Sequence, residues 1–336
     1  MVEALYGALE SGLIYALMAL GVYLTFRVLD FPDLTVDGSF VTGGAVSAIM
    51  IVNGSDPFLA TVLGGVAGFL AGCITGLLHT KGNINPLLSG ILMMTGLYSV
   101  NLRIMGQANI PLLNESTVFS VIGSWWTNVN ADEILLKPFT ALGIDHYAPD
   151  GFLVIISMLI IVILIKLLTD WMLQTEAGLA LRATGDNIRM VRSLSANTNR
   201  YIVMGLGLSN GLVGLSGALI VQYNGFSDVN LGVGMIVVGL ASVIIGEGLF
   251  GTKKIARTTL AVILGAIAYR IIIALALRVD FVDASDMKLI TSVIVIGALV
   301  LPHWWKQTKE NNRRKSKRKR LNENLGANEH ASAKSD

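Results

Sequence analysis

The chain holds 336 residues, 53% of them hydrophobic and 14% charged, with 36 glycines and a mean hydropathy of +0.64. A soluble domain of this size does not carry that balance, whereas a chain that keeps most of its length in lipid does. The formal net charge is +2, and one cysteine (Cys73) with four scattered histidines (His79, His146, His303 and His330) excludes a disulfide or a metal site with recognisable ligand spacing.

In chain order, nine stretches are apolar enough to cross a hydrocarbon core, which takes about 20 helical residues. They cover 4–26, 34–52, 58–78, 85–105, 151–168, 201–223, 232–250, 258–277 and 287–302. The expected fold is therefore an all-α polytopic membrane protein with about nine transmembrane helices in 1–305 and a basic, disordered tail over 306–336. Glu3 and Glu10, with no basic residues beside them, argue against a cleaved signal peptide.

Charge predicts the orientation. With the N-terminus out and the C-terminus in, 20 of the 25 Lys and Arg lie inside: Arg27, Lys81, Lys166, Arg182, Arg189, Arg192, Arg200, Lys253, Lys254, Arg257 and those from Lys306 onward. Arg103, Lys137, Arg278 and Lys288 fall outside, and Arg270 falls within a span. The outer loop 106–150 carries Trp125 and Trp126, a pair suited to the membrane interface. The basic tail reads as an anchor on anionic lipid headgroups rather than a nucleic-acid surface.

The longest polar interlude of the second half is TEAGLALRATGDNIRMVRSLSANTNR at 175–200, within an inner loop over 170–200. It reads as two short helices broken at Gly185 and Asp186, with Asp186 as N-cap of the second. Ile188, Val191 and Leu194 then fall within about one third of the helix circumference, beside Arg189 and Arg192. Such a helix suits docking into a groove on another protein; lying on lipid headgroups is the alternative.

A repeat joins the two halves. Phe31, Asp33, Leu34, Thr35, Val36, Gly44 and Ser47 match Phe226, Asp228, Val229, Asn230, Leu231, Gly239 and Ser242, each pair 195 residues apart. The first copy enters its span from inside and the second from outside, as an inverted-topology repeat predicts; a chance match of short patterns is the alternative. Transporters place substrate paths at such repeat interfaces, so Asp33, Thr35, Asp37, Ser39, Asp228 and Asn230 are the expected pathway residues. Asp33 and Asp228 suit N-caps of half-helices, or direct contact with an ammonium group. Glu247 is expected to pair with Lys253 or Lys254. Arg270 is expected to reach outward or to pair with Asp280 or Asp283, with an anionic substrate group as the other option.

No hydrolytic or metal constellation is present. Gly246–Lys253 has Thr before Lys where a phosphate loop needs Lys before Ser or Thr, so it reads as the tight inner end of a span. Glycine rows such as Gly68, Gly72 and Gly76 read as helix-packing faces.

GLIYALMALG at 12–21, FPDLTVDGSF at 31–40, and the loop with Glu176, Ala177, Gly185, Asp186, Asn187, Asn197 and Thr198 resemble permease subunits of ABC importers. The branch includes branched-chain amino acid, ribose and nucleoside permeases, and the 31–40 wording is most similar to a subgroup implicated in aromatic amino acid uptake. The chain departs from the family at Ser195 and Ala196, where relatives often have Gly-Ile, and at Gly246 and Glu247, where they have Gly-Gly. The resemblance implies two permease subunits forming the pathway as a homodimer, two ATPase subunits beneath, and a solute-binding protein outside. It assigns Asp186, Asn187, Ile188, Arg189, Val191, Arg192 and Leu194 to the ATPase-coupling helix. This chain is then no enzyme and binds no cofactor, with ATP and magnesium on the partner. The competing readings are a nucleoside or sugar permease, an ion-coupled secondary transporter, which needs no docking helix, and a membrane scaffold, which needs no interrupted spans.

Overall fold

The computed structural model describes residues 2–128, 132, 151–252, 254–277, 289, 291–294 and 296–297. Helix α1 (Val2–Tyr23) runs into a π-helical turn at Leu24–Val28, where the Leu29 amide reaches the Leu24 carbonyl at 3.0 Å. This wider turn lets the chain leave the helix and fold back toward the bundle. It resumes as α2 (Thr35–Val52), followed by α3 (Pro57–Thr80) and α4 (Pro86–Met105). Both α3 and α4 open with proline behind a capping side chain: Asp56 accepts the Leu59 amide and Asn85 accepts the Leu87 amide, each at 3.0 Å. Proline costs nothing at the first helical position, because its missing N–H would have been unpaired there.

Strand β1 (Asn109–Pro111) and α5 (Val118–Asn128) follow, then α6 (Leu153–Gln174), the short α7 (Glu176–Asp186) and α8 (Ile188–Ser193), and the long α9 (Thr198–Asn224). Strand β2 (Phe226–Asp228) pairs antiparallel with β1, Ile110 opposite Ser227, so α4 and α9 end on the same side of the bundle. The described part closes with α10 (Met235–Phe250) and α11 (Ile255–Ala276).

Helix α9 is the hub, packed against α3, α2 and α1. Small residues make that possible: a Cβ on Gly43 would strike the Gly214 carbonyl, so only glycine lets α2 and α9 lie this close. The expected row on α3 also faces α9, with Gly68 against Asn210 and Gly72 against Leu206. Polar side chains in the interior are satisfied across helices. Ser209 and Ser216 of α9 donate to the carbonyls of Gly21 and Ile14 at 2.6 and 2.8 Å, and Gln222 reaches Ser47 and Thr61 at 3.1 and 2.7 Å. Such bonds are favoured at membrane depth, where water cannot substitute.

Seven helices among the described residues, not nine, are long and apolar enough to span a membrane. The expected seventh span over 232–250 shrinks to the 16 residues of α10, about 24 Å, which falls short of a core about 30 Å thick. Its first residues form turns instead, and Gly234, at φ +88°, sits in a conformation a side chain rarely adopts. The ninth span over 287–302, the tail and most of the loop over 129–150 lie largely or wholly outside the described residues.

Candidate functional site

The first turns of α2 and α10 meet inside the bundle and run away in opposite directions. Asp37, in the first turn of α2, accepts the amides of Gly234 and Ile236 at 3.0 and 2.8 Å, capping α10 from a different helix. Asp33 caps α2 itself. Its Oδ1 accepts the Thr35 amide at 2.9 Å, and its Oδ2 accepts Asn210 of α9 at 2.7 Å. Asn210 lies about 18 Å along α9 from Thr198 at 1.5 Å per residue, so α2 begins deep within the bundle. Two helix starts placed close together bring two partial positive charges together, and these two carboxylates offset them. Asp33 lies in the connection between the first two spans and is wholly buried. Burial pushes its carboxyl up, against the lowering effect of its bonds to Thr35 and Asn210.

The repeat-related acid behaves differently. Asp228 was expected to cap the second half-helix, but its Oδ1 holds the Asn230 amide at 2.7 Å in a turn that ends before α10 begins. Asp37 performs that capping role. The physical reason is distance: six residues of turn, 229–234, separate Asp228 from Met235, whereas Asp37 lies directly beneath Gly232 and Gly234. Thr35 is buried with its hydroxyl 2.8 Å from that of Thr75, and Ser39 is buried with no hydrogen-bond partner among the described residues.

Above the start of α10 lies a cavity of about 490 Å³, bordered by α1, α10, α11 and the residues at 291–292. Asn230 of the expected pathway set lines it, with Tyr15, Tyr269 and Arg270. The Arg270 guanidinium sits 3.9 Å from the centre of the Tyr15 ring, which itself stacks on Phe40 at 6.0 Å. Arg270 is thus held by an aromatic face; Asp280 and Asp283, its expected partners, lie outside the described residues. Tyr15, Tyr269 and Asn210 did not stand out in the sequence. The available signal was a polar or amphipathic residue inside an otherwise apolar span.

At the opposite end, Glu247 pairs with Arg27 rather than with Lys254, closing the end of α10 onto the end of α1; Lys253 lies outside the described residues. Here α7 packs against α6, α9 and the π-helical turn, and α8 follows it. The expected break shifts by one residue: Asp186 ends α7, and Asn187 caps α8 by accepting the Met190 amide at 3.1 Å. Asn187 takes the extended backbone a cap requires, with φ −157° and ψ 90°. The expected apolar stripe is divided: Val191 is buried against the protein's own core and Ile188 is half-buried, while Leu194 and Met190 are exposed at 72% and 47%. Arg189 is exposed beside them, and Arg192 is also exposed, its Nε donating to Thr198 at 3.1 Å. Gly185 presses on the Val28 carbonyl and on Leu29, so α7 touches the segment that leads to Asp33.

A closely packed bundle of membrane helices, interrupted by deep helix starts and carrying a short exposed helix at one end, is the architecture of a transport permease. The family model for the permease component of branched-chain amino acid transport systems matches residues 5–302, and the chain belongs to that family of ABC permeases. It is 38% identical over 297 residues, 88% of this chain and 90% of the other, to the tyrosine transport system permease protein of Clostridioides difficile. It is 34% identical over 296 residues to an uncharacterised protein of Rickettsia prowazekii, covering 87% and 95% of the two chains. A probable branched-chain amino acid transport permease of Methanocaldococcus jannaschii is 25% identical over 220 residues, covering 63% and 65%. No solved structure matches the chain.

Proposed function

We propose that the chain is the membrane subunit of an ATP-driven importer that carries an aromatic amino acid, delivered by an extracellular solute-binding protein, into a bacterial cell. Two copies form the pathway, with the N-terminus outside and the C-terminus inside. α7 and α8 receive the ATPase subunits, which hold ATP and magnesium. The observation that carries this reading is the exposed pair Met190 and Leu194 beside Arg189, an apolar knob with a basic flank at the end of the bundle where Arg27 also sits. The contact of Gly185 with Val28 and Leu29 supports a mechanical route from that helix to the α2 start. The opposed first turns of α2 and α10 support the inverted repeat, because two half-helices approaching from opposite sides meet in this way. The aromatic cargo is supported by the name of the clostridial relative.

The test is reconstitution of the permease, its ATPase and its binding protein in proteoliposomes. Loaded binding protein should stimulate ATP hydrolysis and uptake of L-tyrosine, L-tryptophan or L-phenylalanine. Uptake by the permease alone, driven by an ion gradient, would establish a secondary transporter instead. Competition by a nucleoside or a sugar, with none by these three amino acids, would replace the cargo.

A further inference from the structure

We infer that the cavity beside Arg270 is a solute site within a single protomer, built for a small carboxylate with an apolar or aromatic body. The reading deepens the proposed import function and rests on it for the class of cargo. Three features of the cavity carry it. Its volume of about 490 Å³ lies within the range of ligand pockets, about 300–1,000 Å³. Its wall is largely apolar, from Val237, Val238, Met235 and Ile273, with the rings of Tyr15 and Tyr269 on one side. Its one cationic side chain among the described lining residues is Arg270, whose Nε is buried without a hydrogen-bond partner among the described residues, and no described carboxylate lines the space.

A guanidinium in such surroundings has donors left over. Stacking on Tyr15 at 3.9 Å uses the face of the group and leaves its edge N–H donors without a hydrogen-bond partner among the described residues. A carboxylate accepts two of these donors side by side, which a single neutral acceptor cannot do. The apolar or aromatic body of the same molecule would then lie against Met235, Val237 and Val238, since the Tyr15 ring is already covered by Arg270 and Phe40. Asn224 and Asn230 offer amide oxygens at the rim for an ammonium group.

The site is tested on the purified permease in detergent, without ATPase or binding protein, using L-tyrosine, 3-phenylpropanoate and phenethylamine as probes. Binding to wild type should require the carboxylate: 3-phenylpropanoate should bind at least tenfold more tightly than phenethylamine. Arg270→Gln should abolish the binding of 3-phenylpropanoate, and Arg270→Lys, which keeps the charge but not the paired donors, should retain it at least tenfold more weakly. If Arg270→Gln does not fold, the two probes on wild type decide alone. Equal binding of the two probes, unchanged binding to Arg270→Gln, or displacement of 3-phenylpropanoate by phosphatidylglycerol would overturn the site. The import reading fails separately, by absence of ATPase stimulation, while carboxylate binding to the permease alone persists.

Discussion

Asp37 and Gly234 are separated by 197 residues in sequence and by a single hydrogen bond of 3.0 Å in the fold. The carboxylate belongs to the first turn of α2 and the amide to the start of α10, so one half of the molecule caps the other. Two amides depend on it, those of Gly234 and Ile236. Leaving a buried donor unpaired costs about 1–3 kcal/mol. Asp37→Ala should therefore destabilise the folded permease by about 2 kcal/mol or more. Asp37→Asn, which keeps one acceptor oxygen of the two, should lose about half as much. Thermal unfolding in detergent measures both, and equal stability of wild type and the Ala variant would show that the cap contributes nothing.

Asp33 makes a different case, because its charge is what burial opposes. Its carboxyl is held above the ordinary value of 3.8, chiefly by burial. The folded state then binds more protons than the unfolded chain between that value and its own raised pKa, so the group's contribution is fully present below about pH 4 and falls as pH rises through the raised folded pKa. An amide in its place has no proton to lose. Asp33→Asn still accepts the Thr35 amide, but its NH₂ then faces the Nδ2 of Asn210, which cannot turn over without losing its bond to the Leu206 carbonyl at 3.0 Å. The Asn variant should be less stable than wild type near pH 4, with the gap narrowing near pH 8, and Asp33→Ala should be less stable than the Asn variant at both. Failure of the Asn variant to transport, though folded, would mean that the charge acts on the cargo.

Topology is tested by exposed single cysteines on a Cys73→Ala background. Gln107, in the loop after α4, and Arg189, on α8, are both exposed and lie at opposite ends of the bundle. With the N-terminus outside, Gln107→Cys should react with an impermeant thiol reagent in intact cells, while Arg189→Cys should react only after lysis. The reverse pattern would invert the orientation.

Much of this architecture could be read from composition and local pattern. Apolar length located α1, α3, α4, α9 and α11 to within three residues at each end but stopped six residues short of the end of α6, and the Pro-led starts of α3 and α4 follow from local chemistry alone. What escaped were relationships between distant residues. Nothing near Asp37 in sequence says that it caps a helix almost 200 residues away, and nothing near Glu247 selects Arg27 over Lys254. Spacing alone made Asp228 the natural cap of α10, but a turn of six residues intervenes. The cavity at Arg270 is assembled from α1, α9, α10, α11 and residues 291–292, so no single segment reveals it.

The same distinction decides how the proposed coupling role of α8 must be tested. Periodicity groups Ile188, Val191 and Leu194 on one side of α8, but it cannot say which of them faces another subunit. Val191 is 3% exposed and packed inside the permease, whereas Met190 and Leu194 are 47% and 72% exposed. An aspartate at Val191 would bury a charge with no described partner, a change that costs several kcal/mol, and loss of activity there would report misfolding. At Met190 or Leu194 an aspartate remains in water and leaves the fold intact. Met190→Asp and Leu194→Asp should therefore yield folded permease with wild-type thermal stability, while the stimulation of ATP hydrolysis by loaded binding protein falls at least tenfold. Arg189→Glu should act in the same direction and more strongly at low salt, since an exposed charge is screened within about 10 Å at 0.1 M ionic strength. Val191→Asp should instead reduce the amount of folded protein recovered. Full ATPase stimulation in the Met190 and Leu194 variants together would show that the ATPase docks elsewhere.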